Sequence, residues 1–226
     1  MIIEADEGEH RPLLDRSTDT ILGRLDARSR PPVSPDYWEV RERRRTLATA
    51  ALLAAGLEAA ARLYGVLGDD PSGRRAADGA ARMRSAIHRD YSADGYPRHP
   101  GEGPGSVDLG VGFLLPPFAD RVEPGVVEAW RRAPEAMRRP AGGLAPGGSW
   151  PADGNSWTTA TSIYAWTAAA LGDRAEALRR LSWLDAHRTQ EGSLPEKVRA
   201  DGSPGEPAPL AWTAAVVVLA VAQLQG

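Results

Sequence analysis

The sequence predicts an all-α fold built from packed helical hairpins. Three observations favour it. Apolar residues recur mostly at helical spacing, the alternating apolar and polar runs typical of strands are missing, and β-branched residues are sparse outside Val216–Val218. We predict about eight helices, at residues 17–28, 42–67, 71–91, 106–115, 124–138, 156–171, 173–188 and 209–224.

The second predicted helix has the clearest pattern and the clearest end. Gly68 is expected to stop it, because glycine readily adopts the left-handed conformation that ends helices. Asp70 followed by Pro71 is then expected to begin the third helix as N-cap and first-turn proline. Pro134 is expected to break or kink the fifth helix. The small and apolar positions of the second helix fall three or four residues apart, at Leu47, Ala50, Ala54, Leu57, Ala61 and Tyr64.

Later helices differ in how their polar residues are distributed. Helices 156–171 and 209–224 are apolar nearly all round, so we expect them to be buried on every side. Helix 173–188 is amphipathic, with charged residues available to water. Alternation of buried and half-buried helices predicts an inner ring of helices wrapped by an outer ring.

The composition excludes several classes of protein. With 27 basic and 30 acidic residues the net charge is −3, which gives no electrostatic case for nucleic acid or an anionic membrane. The absence of cysteine excludes disulfides, thiolate metal sites and cysteine nucleophiles. The four histidines, His10, His88, His99 and His187, show no metal-ligand spacing, so we expect no metal and no cofactor.

The length of 226 residues predicts one domain over residues 1–226, or one large part of a bigger one. The N-terminal residues lack the basic start and apolar run of a secretory signal. The apolar segment 210–224 is short for a membrane span, and a buried helix fits it better. We therefore expect a cytoplasmic protein.

Two glutamates in loop segments are the candidates for chemistry. Glu39 lies in Asp36-Tyr37-Trp38-Glu39, and Glu196 lies in Leu194-Pro195-Glu196-Lys197. Each glutamate comes just before a predicted helix, so two distant carboxylates can converge on one pocket. Glycoside hydrolysis needs such a pair, one protonated acid and one ionised base. Trp38 is expected to shield Glu39 from water and so favour its protonated form. The alternative is that either glutamate only satisfies a helix dipole.

Several segments resemble glucoamylase-type enzymes, glycoside hydrolase family 15. Residues 36–39 resemble the general-acid segment of that family, and residues 194–197 resemble its general-base segment. Residues 209–215 resemble the stretch that places a tryptophan, here Trp212, in the sugar site. Residues 150–157 are similar to a family loop, and Asp108 with residues 114–116 also matches. The motifs follow the family order over residues 36–226, after a lead segment at 1–35.

The resemblance implies an (α/α)6 toroid that acts as an inverting, exo-acting hydrolase of α-glucosides or related oligosaccharides. Glu39 would be the acid and Glu196 the base. The substrate contacts that it implies are Tyr37, Trp38, Trp150, Trp212 and Asp108.

The chain also departs from the family pattern. About eight helices are predicted where a complete toroid has twelve, and the tryptophan and Arg-Asp motif that grips the terminal sugar is missing before Asp36. Ser149 stands where the family usually has an arginine. The missing wall of the ring is expected to lie in sequence ahead of this start, to come from a second chain, or to be absent.

Two other functions stay open at this point. A non-catalytic carbohydrate-binding or structural remnant would keep the fold and the tryptophans. A helical partner protein would expose an open toroid edge, whose apolar helices would be covered by self-association.

Overall fold

The computed structural model describes residues 7–226, and the first six residues of the lead segment lie outside this range. The described part of the chain is almost wholly helical. Its α-helices are α1 (Glu7–Arg24), α2 (Leu47–Val66), α3 (Asp70–Tyr91), α4 (Pro124–Met137), α5 (Thr158–Ala170), α6 (Arg174–Ala186) and α7 (Ala211–Gln225). Three short 3-10 helices span Ser92–Asp94, Pro104–Ser106 and Leu109–Leu114.

The hairpin of α2 and α3 shows how the local sequence sets helix ends. Thr46 caps α2 by accepting a hydrogen bond from the Thr49 backbone N–H, so the helix begins five residues later than predicted. Asp69, not Asp70, caps α3 through the backbone N–H of Ser72. Because either aspartate can cap a helix that begins with proline, the sequence leaves a one-residue ambiguity.

Three other predicted elements need correction. The first helix spans Glu7–Arg24, not 17–28. The segment predicted as helix 106–115 forms a 3-10 helix at Leu109–Leu114, capped by Asp108, because two glycines disfavour a regular α-helix there. Pro134 does not break α4, which continues to Met137 with the Arg138 N–H bonded to the Pro134 carbonyl.

The helices form an open arc, not a closed ring. α2 packs on α3 and on the 109–114 helix, which also contacts α5, and α5 packs on both α6 and α7. The core follows this order and includes Leu47, Leu57, Met83, Leu109, Leu144, Ile163, Tyr164 and Val216. The two ends of the arc are therefore α2 and α7.

The two apolar inner helices have different surroundings. α5 is buried along nearly its whole length, as predicted. α7 is not, because only Thr213, Val216 and Ala220 are buried in it. Trp212 is 46% exposed and Val218 is 68% exposed. The prediction of full burial is wrong for α7, whose main helix contact among residues 7–226 is with α5, with a smaller contact to α6.

A pair of very short strands connects the segments at Ser156 and Lys197. A two-residue strand β1 (Ser156–Trp157) pairs antiparallel with β2 (Lys197–Val198), and Trp157 lies opposite Lys197. These strands were not predicted, because two residues are too few to show alternation.

Leu47–Val66 is the one helix of the described residues with the length and composition of a membrane span, and it packs inside the fold.

Candidate active site

The segment that carries Glu39 is a turn without regular secondary structure. The Glu39 N–H bonds to the Asp36 carbonyl at 2.9 Å, and the Trp38 N–H bonds to Asp36 Oδ1 at 3.0 Å. Glu39 itself has a φ of 56°, in the left-handed region that is strained for a residue with a side chain. Strained backbone of this kind clusters at functional sites. The Glu39 side chain is exposed, so the shielding that we expected from Trp38 is not provided by the described residues.

Arg98 binds the side chains of Asp36 and Trp38 in this turn. Its guanidinium donates to Asp36 Oδ1 at 2.9 Å, to Asp108 Oδ2 at 2.8 Å and to the carboxylate of Glu42. It also lies 3.8 Å from the ring centroid of Trp38, within the range of a cation–π contact. Its side chain is 1% exposed, so a single buried cation holds three carboxylates and one aromatic ring.

The segment that carries Glu196 is held by backbone and hydroxyl groups. The Glu196 N–H bonds to the Pro207 carbonyl at 2.8 Å, and the Glu196 carbonyl accepts from the Thr158 N–H at 3.0 Å. The Thr158 hydroxyl donates to the Pro195 carbonyl at 2.5 Å and lies 2.8 Å from the Thr213 hydroxyl. Glu196 therefore lies beside the N-termini of α5 and α7. Its side chain is 27% exposed and pairs with Lys197 Nζ at 3.2 Å.

A row of three tryptophans joins the two segments. The centroids of Trp38 and Trp150 are 4.8 Å apart, and those of Trp150 and Trp157 are 5.0 Å apart, both in edge-to-face geometry. Lys197 Nζ lies 4.4 Å from the Trp157 ring centroid. The neighbours of Glu39 and Glu196 thus lie at opposite ends of one aromatic row. The indole N–H groups of all three tryptophans are buried and have no hydrogen-bond partner among residues 7–226.

The other predicted substrate contacts have different surroundings. Trp212 lies in the first turn of α7 next to Thr213 and is 46% exposed. Tyr37 is packed edge-on against Phe113 and donates to the Pro146 carbonyl at 3.2 Å. Asp108 is fully buried, with Oδ2 bonded to Arg98 and Oδ1 to the Gly110 N–H. Those contacts favour a structural role for Asp108 in place of the substrate contact that the resemblance implies.

Burial and the ion pairs of Arg98 together shift the pKa values of the groups packed against the turn. Burial raises the pKa of Tyr37 well above its usual range, so this phenol stays neutral. Burial also raises the pKa of Asp108, although Arg98 and the Gly110 N–H oppose the shift. For Arg98, burial alone would lower the pKa, but its bonds to Asp36, Asp108 and Glu42 outweigh burial and raise the pKa.

Four residues of this site were not singled out as site residues from the sequence. Trp157 and Lys197 were visible only as parts of motifs, and Arg98 stands alone in a loop rich in glycine and proline. Arg139 is a fourth, because its guanidinium donates to the Trp150 carbonyl at 3.2 Å. Arg139, which follows α4, thus contacts the backbone of Trp150. Ser149, the residue before Trp150, stands where the resembled family usually has an arginine. Among residues 7–226 no group of three or more His, Cys, Asp or Glu side chains is arranged to hold a metal ion.

Comparison with known proteins gives relatives of one kind. The isomaltose glucohydrolase of Kribbella flavida is 29% identical over 167 residues, which are 72% of this chain and 42% of that enzyme. This chain therefore spans less than half the length of the curated relative it matches. No family model matches the sequence.

Solved structures of glycosidases share the fold. A wild-type glycosidase superposes with a TM-score of 0.78 at 22% identity, covering 95% of this chain and 60% of that one. A bacterial glucoamylase in complex with acarbose gives 0.75 at 19% identity, covering 97% and 38%. Variants of the glycosidase with one glutamate replaced by alanine also match, one of them in complex with glucose. The predicted fold class, a glucoamylase-like helical toroid that is incomplete in this chain, is confirmed, as is the resemblance to glucoamylase-type glycoside hydrolases.

Proposed function

We propose that this chain carries the acid and base of an inverting, exo-acting glycoside hydrolase for α-glucosides or related oligosaccharides. Glu39 is the general acid in this proposal and Glu196 the general base. One observation supports it most: the Trp38–Trp150–Trp157 row connects the two glutamate-bearing segments.

The solved glycosidase variants support the choice of these two residues. In these variants two different glutamates are replaced by alanine, and those glutamates are separated by the same number of residues as Glu39 and Glu196. One of the two variants holds glucose. The name of the curated relative, an isomaltose glucohydrolase, supports an α-glucoside as substrate.

The chemistry follows from the two carboxyl groups. Protonated Glu39 donates its proton to the leaving glycosidic oxygen, while ionised Glu196 removes a proton from the attacking water on the opposite face of the sugar. Water attack from that face inverts the anomeric centre. Such a mechanism requires a carboxyl separation of roughly 6.5–9.5 Å to leave room for the water. Trp38 and Trp212 supply apolar faces for the sugar ring in this proposal, and Tyr37 and Trp150 are further substrate contacts.

The principal test replaces each glutamate by glutamine and measures isomaltose hydrolysis. Glu39→Gln and Glu196→Gln are each expected to lower kcat by a factor of about 10²–10⁴, because each removes one proton transfer while keeping shape and hydrogen bonding. Glu191→Gln, in the same loop as Glu196 and exposed, is the matched control and should keep full activity. Full activity of the Glu196→Gln protein would contradict the base assignment.

The stereochemistry of the product gives a second test. Proton NMR of the early products from α-glucosyl fluoride, which releases only one glucose, should show β-glucose, the product of inversion at an α-glucoside. α-Glucose as the first product would contradict the inverting mechanism even if the enzyme is active.

The exposed face of α7 supports a further proposal about assembly. Among residues 7–226, α7 packs mainly on α5, and its residues Val218 and Leu219 are exposed. We propose that self-association or a second chain covers this face and completes the ring. Light scattering should show a species larger than one chain, and Val218→Lys should shift it toward monomer, whereas a monomer in both cases would contradict self-association.

A non-catalytic role is the alternative to hydrolysis. The exposed Trp212 would serve sugar binding equally well without turnover. Calorimetry with glucose oligomers beside the hydrolysis assay separates the two, because binding without product favours the remnant. A cytoplasmic location is part of the proposal and rests on composition; cell fractionation tests it.

A further inference from the structure

We infer that Arg98 is the positioning residue for the general acid, acting through Asp36 and Trp38 on the turn that presents Glu39. The inference rests on the proposed function for its kinetic consequences. It concerns a residue that touches neither glutamate of the acid–base pair in the structure, and its support is a set of contacts beneath the turn.

Arg98 is fixed at both its backbone and its side chain. Its N–H donates to the Ser106 carbonyl at 2.9 Å, and its carbonyl accepts from the Leu47 N–H at 2.9 Å, at the start of α2. Its guanidinium is held by Asp108, the N-cap of the 109–114 helix. The cation is therefore attached to two elements of the core, and what it binds takes its position from them.

The turn with Glu39 depends on what Arg98 binds. Asp36 uses Oδ1 for both Arg98 and the Trp38 N–H, and its carbonyl accepts from the Glu39 N–H. Trp38, the residue before Glu39, lies with its ring against the guanidinium. Both residues that define the turn are thus tied to one cation, and Glu39 keeps its left-handed backbone only while they hold their places.

Charge explains why an arginine is needed here. Asp36, Glu42 and Asp108 are all less than a tenth exposed, and one guanidinium faces the three of them. The His99 imidazole also lies in this cluster, 3.2 Å from Glu42 Oε2 and 3.2 Å from Glu102 Oε1, and Arg44 pairs with Glu102. A planar guanidinium can donate to three carboxylates and still present its face to Trp38, whereas a lysine ammonium has three donors at one point and no flat face.

The experiment compares two substrates that differ in their need for an acid. Isomaltose has an alcohol leaving group that must be protonated, whereas α-glucosyl fluoride loses fluoride with little help from an acid. If Arg98 acts through Glu39, Arg98→Lys should lower kcat on isomaltose by about 10²-fold and on the fluoride by less than about 5-fold, the selectivity expected of a lost general acid. Glu39→Gln should show the same selectivity, while Glu196→Gln should lose both activities.

A matched ion pair away from the site provides the control. Arg84 makes a bidentate pair with Glu58, at 2.9 and 3.0 Å, between α2 and α3. Arg84→Lys removes a similar cross-helix contact and should leave both kcat values within about twofold. Equal losses on both substrates in Arg98→Lys, or no loss, would show that Arg98 serves only the fold and would overturn the inference.

Two further measurements keep the inference testable if activity or folding fails. Hydrogen exchange at the Trp38 and Glu39 amides, both bonded to Asp36, should accelerate in Arg98→Lys and stay unchanged in Arg84→Lys; no acceleration overturns the inference even in an inactive chain. If Arg98→Lys does not fold, Asp36→Asn takes its place, because it weakens the link between Arg98 and the turn and should show the same substrate selectivity. Absence of selectivity in Glu39→Gln, by contrast, contradicts the proposed acid and not the positioning.

Discussion

The two glutamate segments are fixed in place by different kinds of interaction. The turn with Glu39 is held by charge, through a buried arginine and three carboxylates. The segment with Glu196 is held by neutral groups, through the β1–β2 pair and the hydroxyls of Thr158 and Thr213. One site is therefore assembled from an ionic half and a neutral half.

The difference teaches how each half should respond to perturbation. A buried ionic network is stable only when complete, since removing one partner leaves another charge buried and unpaired. A network of backbone and hydroxyl bonds loses less when one bond is removed, because the net value of a neutral hydrogen bond is about 1 kcal/mol. We expect the Glu39 half to fail abruptly and the Glu196 half to weaken gradually.

The largest effect is expected from crowding the ionic half. A Cβ added to Gly147 would lie 2.7 Å from both Asp108 Cβ and the Trp38 ring, so one of them must move. Gly147→Ala should cost about 1–3 kcal/mol of stability and displace Trp38. Urea unfolding measures the loss, and Gly103→Ala, where nothing lies within 4 Å, is the control. Equal stability of the two variants would contradict the close packing described here.

A smaller, graded effect is expected in the neutral half. Thr158→Val removes a buried hydroxyl that bonds to the Pro195 carbonyl and to Thr213, and should cost about 1 kcal/mol. Thr159→Val, which loses one longer contact of 3.3 Å to the same Thr213, should cost less. Urea unfolding ranks the two. The reverse order would show that Thr159, not Thr158, anchors the Glu196 segment.

The smallest effect concerns pH and the loop that leads to Glu39. Hydrogen bonds from Arg30 lower the pKa of Asp26 to about 2, and Asp26 also pairs with Arg45. The pKa of an unfolded aspartate is about 4, so the contribution is present above about pH 4 and lost as pH falls through about 2. Asp26→Asn should therefore be less stable than the parent at pH 7, and the difference should vanish near pH 2. Asp120→Asn, in an exposed pair with Arg62, is the control.

The fold was predictable where local rules decide it. The bounds of α3 and α5 follow from caps and periodicity to within two residues, because aspartate caps and apolar spacing act within one helical turn. The prediction of a helix over residues 106–115 was wrong because the apolar content indicated an α-helix, whereas the glycines favour the 3-10 helix at Leu109–Leu114. Burial of α7 was wrong because the arc ends there, and composition cannot tell where an arc of helices ends.

The site was predictable as a set of segments but not as a set of contacts. Motif order gave Glu39, Glu196, Trp38 and Trp150, and their assignments as acid, base and sugar walls remain predictions. Arg98 could not be predicted as a site residue, because the sequence pattern of a lone arginine in a loop indicates a solvated surface charge. Its role emerges only when Asp36, Glu42 and Asp108, distant in sequence, close around it.

The edge-to-face row of Trp38, Trp150 and Trp157 also gives the protein an optical property. Indole rings about 5 Å apart couple electronically, so three of the seven tryptophans should dominate the near-ultraviolet circular dichroism of the folded chain. A sugar placed against this row would change that signal without any label. Substrate occupancy would thus be visible directly in the unmodified protein.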